Sequence, residues 1–188
     1  MTICLRPATR ADAQDIAAFA DVSSDGLIST LWARKTDLSQ SPLEYGCAQV
    51  SQDEGSLSWR HATLAVDGDR VVGVVMTDQL AHRPAEITSE THPILRPLIR
   101  LENEARDTRT ISALAVMPDV RRQGVARALL GAAEDGVGAA GMSVILADQN
   151  ASALQFFARQ GYETRATLPM VKADWETQSS AWNLLRKP

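Results

Sequence analysis

The turn Arg121-Arg122-Gln123-Gly124-Val125-Ala126 sets two formal positive charges beside a glycine and a small residue. If such a turn opens a helix, the first amides have no internal partner and the dipole makes that end positive. Gly124 and Ala126 would let a ligand come close to the backbone, so the segment suits a phosphate or pyrophosphate. A second candidate is Glu102. At about 100° per residue it falls inside the helical arc of Ile94, Leu95, Leu98, Leu101 and Ala105, whereas Glu104 projects to the other side. A carboxylate on an apolar face has its pKa raised by desolvation unless it is paired, which would fit a general base. The alternative is a structural ion pair to an arginine such as Arg6 or Arg109. Other chemistries find less support. His61, His82 and His92 have no nucleophile-elbow partner. Cys4 and Cys47 have neither metal spacing nor a disulfide framework, so no metal site is expected. A nucleotide or other phosphate binder is a further reading, ranked lower because no Walker motif is present.

The elements around the turn follow from periodicity. Ile111 to Val116 is a short apolar run ended by Met117-Pro118-Asp119, which suits a buried strand. Ser112 on that strand could face either side. From Val125 onward, Val125, Ala128, Leu129 and Ala132 recur at helical spacing. Ser143 to Ala147 is a second buried strand, parallel to the first because a helix connects them. Ile3 to Pro7 reads as a strand, and Thr9-x-x-Asp12 as a capping-box-like helix start. Helices are expected at 27–32 and from Ser41-Pro42 through Val50. Trp32, Tyr45 and Trp59 in this part either line a pocket or pack the core. Asp67-Gly68-Asp69 between two β-branched runs marks a hairpin. Ile94 to Ala105 reads as a helix with Pro97 in its first turn. Asn150 opens another helix, stopped at Gly161. Segments 163–172 and 180–187 read as a closing antiparallel hairpin.

Val116-x-Pro118-x-x-Arg121-x-x-Gly124-x-Ala126, followed by Leu129-Leu130, resembles the acetyl-CoA signature of the GNAT superfamily of N-acetyltransferases. The run Asn150 to Tyr162, with Phe156-Phe157 before Gly161-Tyr162, resembles the second hallmark of that family. The resemblance is specific over 111–130 and 150–162 and generic elsewhere. It implies a single domain over 1–188 of mixed α/β class, with a twisted sheet of about seven strands flanked by helices. It also implies two parallel strands that splay at the cofactor. Acetyl-CoA would be the co-substrate. The amides of Gln123, Gly124, Val125 and Ala126, with Arg121 and Arg122, would hold its pyrophosphate. Leu114, Ala115 and Val116 would hydrogen-bond the pantetheine arm, and Asn150, Phe156 and Phe157 would complete the binding set. A backbone amide, of Ala115 or Val116 by position, would face the thioester oxygen, and Val116 is taken for that role. The oligomeric state is left open, although chains of this family often pair as homodimers through terminal strands.

One position departs from the family. Many members place a tyrosine where this chain has Phe157, as the acid that protonates the CoA sulfur. Either the thiolate leaves unassisted, or a donor such as Tyr162 or Ser112 serves. A catalytically silent module that binds CoA as a sensor is therefore the rival reading. The acceptor would be a small-molecule or peptide amine, of a kind the sequence leaves open. The 188 residues carry a net charge of −4, which argues against non-specific nucleic-acid binding. No apolar run approaches the roughly 20 residues of a membrane span, and no signal peptide is read at Met1 to Arg6, so a cytoplasmic enzyme is expected.

Overall fold

The computed structural model describes residues 3–37 and 39–188. Its strands form one mixed sheet of seven, in the order β1-β2-β3-β4-β5-β7-β6. The chain divides into two compact units, residues 1–78 with 112–135 and residues 79–111 with 136–188.

In the first unit, β1 (Ile3–Pro7) pairs antiparallel with β2 (Ala62–Asp67). The strand β3 (Arg70–Gln79) returns across the expected Asp-Gly turn. Thr9 donates its backbone N–H (2.7 Å) and its hydroxyl (2.8 Å) to the Asp12 carboxylate, which fixes the entry to α1 (Ala13–Ser23). Helix α2 (Leu27–Ala33) follows, then α3 (Pro42–Val50), which starts on a capping box between Ser41 and Glu44. These helices bury Ile16, Ala17, Ala20, Trp32 and Val50 against Leu64, Val74 and Met76 of the sheet. Trp32 lies so close to α3 that a Cβ on Gly46 would overlap its ring. Trp32 is 5% exposed, and Tyr45 and Trp59 pack against the same cluster. Trp32 is therefore a core side chain, and Tyr45 and Trp59 are half-buried against it.

The second half of β4 (Arg109–Val116) and helix α5 (Val125–Glu134) also belong to this unit. The buried face of α5 is Val125, Leu129, Leu130 and Ala133, whereas Ala128 and Ala132 are exposed. The apolar stripe is thus rotated by one position from the expected one. A leucine has far more area to remove from water than an alanine, so Leu129 and Leu130 together orient the helix.

The second unit contains α4 (Arg96–Glu104), entered through a short 3-10 turn at Pro93–Leu95 with Pro97 in the first turn. Strand β5 (Met142–Ala147) pairs in parallel with the start of β4 over Arg109–Met142, Thr110–Ser143 and Ile111–Val144. Three pairs make a short ladder for strands of eight and six residues. Helix α6 (Ala151–Arg159) leads by Gly161, at φ +88°, into β6 (Glu163–Pro169), which pairs with β7 (Ala181–Lys187). β6 ends at Pro169, three residues short of the expected Lys172. Its last ladder pair is Pro169 with Ala181. Among the described residues, no helix is long and apolar enough to cross a membrane.

Candidate functional site

Strand β4 delivers the chain to a 3-10 turn at Pro118–Val120, and the loop Arg121–Gly124 then turns into α5. Three contacts hold this approach. The Met117 amide donates to Val72 O on β3 (2.9 Å), and Arg121 Nε donates to Val116 O (3.1 Å). Arg70 forms a two-pronged ion pair with Asp119 (2.7 and 3.1 Å). That guanidinium holds the Asp119 carboxyl below the usual carboxylate range, so a charged acid beside the cationic loop is already partnered. Sequence reasoning missed Arg70. Its only local signal is its place just after the Asp-Gly turn.

The loop backbone is unusual. Arg122 has φ +62° and Gly124 φ +84°, both in the left-handed region. For glycine this costs little, whereas an arginine there carries strain of order 1 kcal/mol that the surroundings must impose. Such backbone aims successive N–H groups into one concavity, an arrangement that attracts anions. No side chain caps α5. By contrast, Ser41 caps α3 and Asn150 caps α6, and Asp21 and Ser24 accept the first amides of α2. Among the described residues, the amides of Gln123, Gly124, Val125 and Ala126 have no protein acceptor. The first bond into the helix is Ala128 N to Gly124 O (2.9 Å). A Cβ on Gly124 would meet nothing within 4 Å, so the space beside the Gly124 backbone is open. Arg121 and Arg122 are both exposed beside it. Gln123 turns its side-chain amide back to Asp119 O (3.4 Å).

Upstream on β4, Leu114, Ala115 and Val116 are half-buried. Gly73 on β3 approaches this stretch closely, since a Cβ there would stand 3.1 Å from Ala115 O and 3.2 Å from Val116 Cγ2. At those distances the neighbours would have to give by a few tenths of an ångström to admit a side chain, so β3 runs closest to β4 at this glycine.

The second unit holds the remaining candidates. Asn150 Oδ1 accepts the Ala153 amide (3.1 Å), as an N-cap should, which leaves its NH₂ exposed as a donor. Phe156 is half-buried, and Phe157 is only 2% exposed. Phe157 packs edge-to-face on Phe156 at 5.3 Å and on Tyr162 at 5.0 Å. Its ring is therefore a core side chain. Tyr162, at 3% exposure, lies under Lys187 Nζ (5.7 Å from the ring centre), so it too is spent on packing. Glu102 is half-buried on α4. Arg6, one of its proposed ion-pair partners, is engaged instead by Asp12 at 2.7 and 2.9 Å. Among the described residues, no group of three or more His, Cys, Asp or Glu side chains is placed to hold a metal ion.

A strand, a turn and an uncapped helix start are the parts that the signature requires, and the sequence matches the acetyltransferase (GNAT) family over residues 28–162. The chain belongs to the GNAT family. Solved GNAT structures share its fold at low identity. An N-acetyltransferase from Staphylococcus aureus Mu50 is 14% identical with a TM-score of 0.67, and the match covers 97% of this chain and 98% of that one. Arabidopsis thaliana NAA60, solved with a bisubstrate analogue, is 17% identical with a TM-score of 0.60, covering 98% and 96%. Arabidopsis thaliana Naa50, in complex with the bisubstrate analogue CoA-Ac-MVNAL, is 11% identical with a TM-score of 0.63, covering 100% and 99%. No curated protein sequence matches this GNAT chain.

Proposed function

We propose that this GNAT chain moves the acetyl group of acetyl-CoA directly to the amine of an acceptor, with both substrates bound at once. The observation that carries the reading is the start of α5, where four consecutive amides lack a protein acceptor beside Arg121 and Arg122. A diphosphate satisfies those donors and meets both the dipole and the formal charges. Acetyl-CoA supplies an activated acyl group as a thioester. Leu114, Ala115 and Val116 offer backbone groups to its pantetheine arm, and an amide of this stretch, Val116 by first assignment, offers a donor to the thioester oxygen. Such a donor contributes roughly 3 kcal/mol to the transition state. Asn150 adds the NH₂ that its capping role leaves exposed, and the Phe156 edge adds apolar contact. Phe157 enters as support for Phe156.

An alkyl ammonium has a pKa of about 10, so a base must take its proton at neutral pH. Glu102 is assigned that role. A peptide N-terminus is one candidate acceptor, supported by the Naa50 complex with CoA-Ac-MVNAL. The rival reading, a silent CoA-binding sensor, is favoured by Phe157, which has no proton to donate. Calorimetric titration with CoA, followed by release of free thiol from acetyl-CoA over a panel of amines, separates the two. Gly124→Glu places a carboxylate at the loop assigned to the pyrophosphate, and CoA affinity is expected to fall at least 100-fold. A variant that still binds CoA as the wild type does removes the pyrophosphate assignment.

A further inference from the structure

Between Asp107 and Glu134 the chain carries four arginines, at 109, 121, 122 and 127, and one acid, Asp119. That acid stands two residues before Arg121. Positions two apart along a chain are separated by at most about 7 Å, so the Asp119 carboxylate is within reach of the loop guanidinium groups. An ion pair inside the loop would be the shortest route to neutrality. The structure takes a longer one. Arg70, 49 residues away in the chain, donates to both Asp119 oxygens, at 2.7 and 3.1 Å. Arg121 turns its Nε to Val116 O instead (3.1 Å). Among the described residues, Arg122 and Arg127 form no ion pair.

The sheet sets this choice of partner. The Met117 amide donates to Val72 O (2.9 Å), which fixes β3 against the end of β4. Arg70 is two residues back from Val72, and Asp119 is two residues on from Met117, so the two side chains are delivered side by side. Both remain half exposed, at 51% and 54%. Ion pairs that wet contribute little to stability. What this one decides is where the Asp119 charge goes.

We propose that Arg70 is a positioning residue that keeps Asp119 off Arg121 and Arg122, and so holds the cationic loop ready for an anion. The proposal rests on the acetyl-CoA reading above, in which that anion is the CoA pyrophosphate. Without Arg70, the Asp119 carboxylate has two courses, and both oppose the ligand. It pairs with a loop guanidinium and occupies the donors, or it stays free and repels the diphosphate. One charge acting on two across about 7 Å of water changes affinity about tenfold. The pair therefore acts on binding through Asp119, and Arg70 itself needs no contact with the ligand.

The test is calorimetric titration of the full-length chain with CoA, in the wild type, Arg70→Gln, Asp119→Ala and the double variant. Arg70→Gln is expected to bind CoA about tenfold more weakly. Asp119→Ala is expected to bind at least as tightly as the wild type. Adding Asp119→Ala to Arg70→Gln is expected to restore wild-type affinity to within about twofold, a coupling that a double-mutant cycle reads directly. In about 1 M salt, where the screening length falls to about 3 Å, the ratio of wild type to Arg70→Gln is expected to drop below about threefold. A mere latch between β3 and the turn behaves differently, since either single variant breaks it. Equal weakening by Arg70→Gln and Asp119→Ala, with no rescue in the double variant, overturns the proposal and leaves the CoA reading intact. Unchanged affinity in Arg70→Gln does the same. Failure of the wild type to bind CoA overturns both.

Discussion

Arg122 and Gly124 share a left-handed backbone, but only the glycine adopts it at little cost. Strain at a non-glycine residue persists where the surroundings over-determine it, and here it sits beside the amides that lack acceptors. Residue identity matters less in this loop than backbone direction, because the donors are N–H groups. Glu102 is the converse case, since its side chain is the whole of its assigned role. Glu102→Gln is expected to lower turnover 100-fold or more and to remove the acidic limb of the rate–pH profile. The limb belongs to the ionised base, and glutamine does not titrate. A profile with the limb intact, measured with an amine that the wild type acetylates, would clear Glu102 of the part.

Helix starts differ across the fold, and the difference carries information. Helix α3 closes its first amides with Ser41, and α6 with Asn150, whereas α5 leaves its own open. A missing cap costs about 1 kcal/mol, which buried Leu129 and Leu130 offset. At the same scale, α2 and α3 depend on one close approach, Trp32 against Gly46. Gly46→Ala puts a methyl into the ring's place, and the tryptophan is flanked by core residues, so relief is limited. The expected loss is about 1–3 kcal/mol, read as a lower denaturant midpoint with unchanged slope. Equal stability of Gly46→Ala would mean that the two helices can slide apart freely.

For the molecule as a whole, acid stability is expected to centre on Asp12. Asp12 is 8% exposed, and its carboxylate accepts from both Arg6 terminal nitrogens and from the Thr9 amide and hydroxyl. The Arg6 hydrogen bonds hold its pKa far below the ordinary carboxylate value, against the opposing effect of burial. A depressed folded pKa gives stability that is present above the unfolded value of about 4 and is lost as pH falls through the folded one. Asp12→Asn is expected to cost about 1–3 kcal/mol at neutral pH, with the gap to wild type closing below about pH 4. Denaturant titrations at pH 7 and pH 3 check this. A gap that stays constant between them would show that Asp12 does not set the acid limb. Asp148, brought to about 2 by the Ser180 hydroxyl and amide, adds an exposed contribution of the same sign.

By itself, the sequence determined the elements and the family. Strand 111–116, the Asp-Gly hairpin, the helix starts at Ser41 and Asn150 and the cationic loop are local patterns, set by periodicity, turn residues and caps within a few positions of each other. Tertiary structure decided what depends on residues far apart in the chain. It set the rotation of α5 about its axis, because burial area and not periodicity selects the inner face. It buried Trp32 in the core and set Tyr45 and Trp59, half-buried, against it. It paired Arg70 with Asp119, and Arg6 with Asp12 in place of Glu102. It also left Ser112 exposed in a strand of otherwise covered side chains. A strand alternates its faces by covalent geometry, but which face meets solvent is decided only by what packs against it.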